Sequence, residues 1–308
     1  MILERSNVLL TGASSGIGRA LARELVGRTG RLAITARREI RLEDMADELE
    51  AGHGTRPVVL VADLAQPGAG TELAERAREA MGGVDVLINN AGSAIQGMQW
   101  AAGDGTAARE LFETNVWSPL ALTAALVPAM RARGEGAIVN VTSLLQVSPF
   151  PSFGHTSASK AALALATQTL ELELTGSGVH VLEAVLGPVD TPGAFESRLM
   201  PGGKQWLHAT GLATAEGAAR HIVKALEHER RRVVYPRRLS PTYALPVIGR
   251  RFARWFTRYA DPNDLSVRRG GSAGDLECRA MRARWEEHRS GSPMHGPDPP
   301  YGGAITPP

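Results

Sequence analysis

Three residues of this chain have the types and spacing to handle a carbonyl oxygen or an alcohol proton. Ser143 closes an apolar run, Val139-Asn140-Val141-Thr142-Ser143, with a hydroxyl. Thr156 follows thirteen residues later, and Lys160 stands four residues beyond it, after Ser157-Ala158-Ser159. A hydroxyl can hold a substrate oxygen, and an ammonium can increase the acidity of a neighbouring donor. His155 adds an imidazole that titrates near neutrality and can act as acid or base. Thr156 is the weak member. Its aliphatic hydroxyl is far less acidic than a phenol, whose pKa starts near about 10, and it suits direct proton donation poorly.

Such a set needs a scaffold that brings strand ends and helix starts together. With 308 residues and 43% hydrophobic content, the chain can bury the core of one α/β domain plus an extension. Short apolar runs alternate with amphipathic stretches, which predicts a doubly wound parallel sheet of about seven strands with helices on both faces. Strands are predicted over 7–11, 31–36, 57–61, 84–89, 137–143, 179–186 and 232–235. Helices are predicted over 17–27, 41–51, 70–81, 106–133, 156–175 and 215–228. The domain is expected to span 1–236. A basic amphipathic extension follows over 237–268, and a Gly-, Ser-, Arg- and Pro-rich stretch over 269–308 predicts a flexible tail.

Between the first predicted strand and helix lies Gly12-Ala13-Ser14-Ser15-Gly16-Ile17-Gly18. Glycines let the backbone turn sharply and approach a pyrophosphate, and the following helix start offers unpaired N–H groups and the positive end of its dipole. At the end of the second strand an acidic residue would accept bonds from the ribose 2′-hydroxyl of NAD, whereas an arginine pairs with the 2′-phosphate of NADP. Here Arg37 and Arg38 occupy that end, with no acid before Glu39. NADP is therefore expected, and NAD is disfavoured.

Together, the Gly-x-x-x-Gly-x-Gly turn, Asp63-Leu64, Asn89-Asn90-Ala91-Gly92, Asn115, Ser143, Lys160 and Gly187-Pro188-Val189-Asp190-Thr191 resemble the short-chain dehydrogenase/reductase superfamily over roughly residues 5–236. The resemblance implies that Asp63 and Leu64 meet the adenine, that Asn90, Ala91 and Gly92 support the adenosine ribose, and that Asn115 holds a proton-relay water. It implies that Pro188, Val189 and Thr191 face the nicotinamide carboxamide, that Ser143 binds the substrate oxygen and that Lys160 grips the nicotinamide ribose. It places the family's catalytic Tyr at the position of Thr156.

Three readings of that position stay open. His155 serves as a surrogate acid/base; a bound water or substrate group supplies the proton; or the site keeps cofactor binding and has lost redox chemistry, as an isomerase, lyase, cyclase or silent homologue would. The loop 191–211 is largely apolar and suits a hydrophobic small-molecule substrate. Apolar helices at 106–133 and 156–175, with the resemblance, predict a homodimer or homotetramer. Lys+Arg 34 against Asp+Glu 32 gives no reason to expect nucleic acid. One cysteine, Cys278, and the charged start Met1-Ile2-Leu3-Glu4-Arg5 lead to a cytoplasmic expectation with no metal centre. Arg250, Arg251, Arg254 and Arg258 alternate with Phe252, Trp255, Phe256 and Tyr259. Over 236–261 this predicts packing partly over the substrate cleft or peripheral membrane contact, with a helix docked on its own domain or a sister subunit as the alternative.

Overall fold

Parallel strands buried on both faces should read as near-continuous Val, Ile and Leu runs, and these do. In the computed structural model, which describes residues 3–191, 207, 211–247, 250, 251, 254 and 268–270, the sheet strands are β1 Asn7–Thr11, β2 Arg31–Ala36, β3 Val58–Val61, β4 Val86–Asn89, β6 Gly136–Ser143, β7 Val179–Leu186 and β8 Arg232–Tyr235. They form one seven-stranded sheet in the order β3-β2-β1-β4-β6-β7-β8, every pair parallel. The helices are α1 Gly16–Leu25, α2 Glu39–His53, α3 Ala69–Met81, α4 Gln99–Ala102, α5 Thr106–Phe112, α6 Ser118–Arg133, α7 Gly154–Glu173, α8 Ala215–Glu227 and α9 Ser240–Ala244.

Two apolar cores lie on opposite faces of the sheet. Leu21 and Leu25 of α1, Leu42 and Leu49 of α2 and Ile222 and Leu226 of α8 pack on one face. Leu73 of α3 and Leu122, Leu126 and Met130 of α6 pack on the other. Strand order reverses where β1 lies between β2 and β4, and the carboxyl ends of those strands open the crevice in which doubly wound sheets bind ligands.

The predicted helix over 106–133 is broken. Residues Glu113–Trp117 form a π-helical turn between α5 and α6. Pro119 has no N–H to return to the Asn115 carbonyl four residues earlier, so the α-helical ladder cannot continue there. Two short strands went unpredicted. β5 (Ala94–Gln96) follows the Asn-Asn-Ala-Gly segment and pairs antiparallel with β9 (Arg268–Gly270), which straddles the expected boundary at 268/269. No helix among the described residues is long and apolar enough to cross a membrane. The predicted loop 191–211, apart from Thr191, Leu207 and Gly211, and most of the predicted tail lie outside the described residues.

Candidate active site

The glycine turn is shaped by close backbone contact. Gly12 has φ +72°, a conformation that favours glycine. A Cβ on Gly18 would stand 2.0 Å from the Gly12 carbonyl oxygen. Ser15 is the N-cap of α1, but its side chain makes no capping bond. The first-turn N–H groups therefore have no capping side chain, the arrangement that receives an anion.

Asn90 locks this turn to the end of β4. Its Nδ2 donates to the carbonyl of Thr11 at 2.9 Å, and the Thr11 hydroxyl accepts from the backbone N–H groups of Asn90 and Ala91, both at 3.0 Å. Thr191 closes the turn from the far side, its Cγ2 lying 3.1 Å from where a Cβ on Gly16 would sit. Pro188 and Val189 precede it in a segment tied to Ala213: Ala213 donates to the Pro188 carbonyl at 3.0 Å, and Asp190 donates to Ala213 at 2.7 Å. Just beyond β3, Leu64 is buried and accepts a bond from Ser118, while Asp63 accepts from Ala65 N–H. The Arg37 guanidinium stands 4.0 Å from the Asp63 carboxylate, and both side chains are substantially exposed. Arg38 is the N-cap residue of α2. The residues present thus fit a dinucleotide: a glycine cradle, an unblocked helix start and a cationic strand end.

Asn115 and Lys160 converge beyond this cradle. A Cβ on Gly92 would lie 3.4 Å from Lys160 Nζ and 3.5 Å from Asn115 Oδ1. The fully buried Asn115 donates to the Ser93 carbonyl and to Ser159 Oγ, both at 3.0 Å, and accepts from Ser93 N–H at 2.8 Å. Three of its four bonding capacities are used, which fixes its rotamer. Lys160 donates to the Val141 carbonyl at 2.9 Å, and burial pulls its ammonium down to about 8. Val141 lies two residues before Ser143, whose hydroxyl accepts from Leu145 N–H at 3.2 Å.

Thr156 faces elsewhere. Its buried hydroxyl accepts from Ile95 N–H at 3.1 Å and donates to the Ile95 carbonyl at 3.3 Å, clamping β5 to the start of α7. His155 bonds through Nε2 to the Gly103 carbonyl at 2.7 Å; since a carbonyl only accepts, Nε2 carries the hydrogen. It makes no hydrogen bond to Ser143, Asn115, Thr156 or Lys160. Of the five predicted catalytic residues, the structure gathers Asn115 and Lys160 around Gly92, links Lys160 to Ser143 along β6, and gives Thr156 and His155 backbone partners of their own.

Residues 6–201 match the family described as short chain dehydrogenase. The chain belongs to that family. Among its relatives, the ketoacyl reductase HetN of Nostoc sp. is 30% identical over 82% of this chain and 90% of its own length. The 11-beta-hydroxysteroid dehydrogenase 1A of Arabidopsis thaliana is 33% identical over 82% of this chain and 74% of its own. L-Sorbose reductase from Gluconobacter frateurii, complexed with NADPH and L-sorbose, superposes with a TM-score of 0.68 at 28% identity, covering 76% of this chain and 96% of that one. A family member from Burkholderia phymatum in complex with NAD gives 0.71 at 26% identity, covering 85% and 99%. A nicotinamide dinucleotide is therefore a cofactor that this family fold carries.

Several residues at the site were not singled out from sequence. Ser93 and Ser159 hold Asn115, and Thr11 holds Asn90. Ser159 lies inside the Thr156–Lys160 interval, where its small size concealed a polar role. More remote is a buried carboxylate on β7. Glu183 accepts from Thr142 Oγ1 at 3.1 Å, Gln146 Nε2 at 3.0 Å, Arg232 Nε at 2.7 Å and Tyr243 OH at 3.4 Å. Burial and the Glu183 charge push the Tyr243 phenol up to about 12. This cluster ties α9, just beyond the predicted domain end, to the strand and turn on either side of Ser143.

Proposed function

We propose that this chain is an NADP-dependent short-chain dehydrogenase/reductase acting on the carbonyl/alcohol pair of a hydrophobic small molecule, through a catalytic centre in which Thr156 stands where the family has its phenol. The observation that carries this reading is the convergence of Lys160 Nζ and Asn115 Oδ1 on Gly92, beside a glycine turn at the strand-order reversal.

The chain's own residues divide the work. The α1 start and Gly12, Ser14, Ser15, Gly16, Ile17 and Gly18 receive the pyrophosphate. Asp63 and Leu64 border the adenine, and Asn90, Ala91 and Gly92 its ribose. Pro188, Val189 and Thr191 border the nicotinamide. Bound there, the dinucleotide supplies hydride chemistry. Lys160 holds the second ribose, Ser143 binds the substrate oxygen, and Asn115 holds a relay water at its carbonyl, which Pro119 leaves without an α-helical donor. Arg37, exposed at the end of β2, supports NADP because a guanidinium can take the 2′-phosphate in two parallel bonds. Relatives named for ketoacyl, hydroxysteroid and fatty acyl-CoA substrates support an apolar substrate class.

The second reading is a cofactor-binding protein without redox turnover. It is favoured by one observation: both hydrogen-bonding roles of the Thr156 hydroxyl are taken by Ile95. Titration with NADPH followed by turnover on ketones, ketoacyl esters and steroids separates the two. Binding with turnover supports the first reading, and binding without turnover supports the second.

A further inference from the structure

Reduction of a carbonyl requires a proton at oxygen, and the segment 155–160 at the start of α7 offers three candidates. Thr156 is occupied by Ile95 in both directions. His155 carries its hydrogen on Nε2, and that hydrogen is given to Gly103. Lys160 differs. Its only hydrogen bond among the described residues is to Val141, which uses one of three ammonium hydrogens. The other two are left for the ligand side of the site, one for a ribose hydroxyl and one for a proton path.

Composition sharpens the point. The chain has thirty-one arginines and three lysines, Lys160, Lys204 and Lys224. A guanidinium would supply the same positive charge but cannot release a proton in the physiological range, whereas an ammonium can. A chain that uses arginine for cations nearly everywhere has a titratable cation at this position.

Resting on the redox reading above, we propose that the ammonium of Lys160 is the proton source of this site, in place of Thr156 or His155. As the carbonyl carbon accepts a hydride from the reduced nicotinamide dinucleotide, the oxygen held by Ser143 takes a proton that leaves Nζ and crosses one water. The N–H bond breaks and an O–H bond forms; the neutral amine regains its proton from solvent. Burial lowers the ammonium to about 8, so it is acidic enough to give the proton and still charged at neutral pH. Around α7, the titratable and charged groups on the elements packed against it are Glu113 on the π turn, Arg109 and Glu110 on α5, His180 and Glu183 on β7, and His155, Glu171 and Glu173 on α7 itself. None hydrogen-bonds to Nζ.

The test uses the full chain. With its three lysines ¹³C-methylated and the other two assigned by Lys204→Arg and Lys224→Arg, the Lys160 signal is expected to titrate near about 8, against about 10 for exposed lysines. Turnover in the direction of reduction is expected to fall as pH rises through the same value. Lys160→Arg is expected to bind NADPH within a few fold of the unmodified protein, with kcat lower by roughly 10²–10⁴. Lys160→Ala is expected to regain turnover with added methylammonium, increasingly so with more acidic amines. Turnover of the unmodified protein that persists in Lys160→Arg, or a Lys160 signal titrating with the other two, would overturn the proposal while leaving the redox reading intact. NADPH binding without any turnover in the unmodified protein would overturn both.

Discussion

At the scale of single residues, Thr156 and His155 meet backbone partners, Ile95 and Gly103, rather than one another or Lys160. Thr156, expected from its spacing to stand where a catalytic hydroxyl would, fastens β5 through Ile95. Thr156→Tyr would remove that clamp and introduce a phenol near the cation of Lys160. We expect carbonyl reduction to increase, because the phenol would give the proton directly to the oxygen rather than across a water. We also expect a stability loss of about 1 kcal/mol from the two Ile95 bonds. Steady-state kinetics and thermal melts measure both, and an unchanged rate in a folded variant would contradict the placement of the site. Arg37 is exposed just beyond the end of β2. Arg37→Ala should weaken NADPH by about 1.5–3 kcal/mol and leave NADH nearly unchanged, read by fluorescence titration; equal loss for both cofactors would remove Arg37 from the 2′-phosphate.

At the scale of elements, most of the scaffold was legible, and the exceptions share a cause. β1, β2, β7 and β8 coincide with the predicted ranges because apolar runs bounded by turn residues leave little choice of period. The break in the 106–133 helix was written at Pro119, but apolar periodicity through that stretch hid it. β5 and β9 were not legible, since each has three residues and exists by pairing with the other across the chain. The site divides in the same way. Ser143, Lys160, Asn115 and the glycine turn could be placed by local motif. Ser93, Ser159 and Glu183 gain their roles only through contacts made by folding. Glu183 leads to a prediction at this scale. Its side chain is nearly fully buried and its cationic partner Arg232 is 38% exposed. Arg232→Ala would leave a buried carboxylate short of its ion pair, a loss of about 2 kcal/mol once the partial screening of Arg232 is allowed for. Urea denaturation should show the midpoint falling with little change in slope; an unchanged midpoint would mean that Thr142, Gln146 and Tyr243 suffice.

At the scale of the whole molecule, several large apolar side chains among the described residues are exposed. Leu165 and Leu172 on α7 are 66% and 71% exposed, and Trp117 at the start of α6 is 57% exposed. A groove of about 430 Å³ runs between α6 and α7, lined by Leu120, Ala162, Leu165, Ala166 and Leu170. Exposed leucines on one helix beside such a groove are what a self-association face presents. We expect a homodimer or homotetramer in sedimentation velocity at micromolar concentration, and Leu165→Glu with Leu172→Glu to shift it toward monomer. A single 32.7 kDa species in the unmodified protein would contradict that expectation. The basic extension is anchored at its near end, where Arg232 lies 4.9 Å from the centre of the Tyr243 ring.

The central claim, that this scaffold performs hydride transfer with a nicotinamide dinucleotide, is tested most directly by isotope. NADPH deuterated at both C4 positions of the nicotinamide is incubated with the full chain and a panel of apolar ketones, and the alcohols are examined by mass spectrometry. Transfer of deuterium to the carbinol carbon of at least one substrate, faster with NADPH than with NADH, is the predicted result. Tight NADPH binding with no deuterium in any product after prolonged incubation would contradict it.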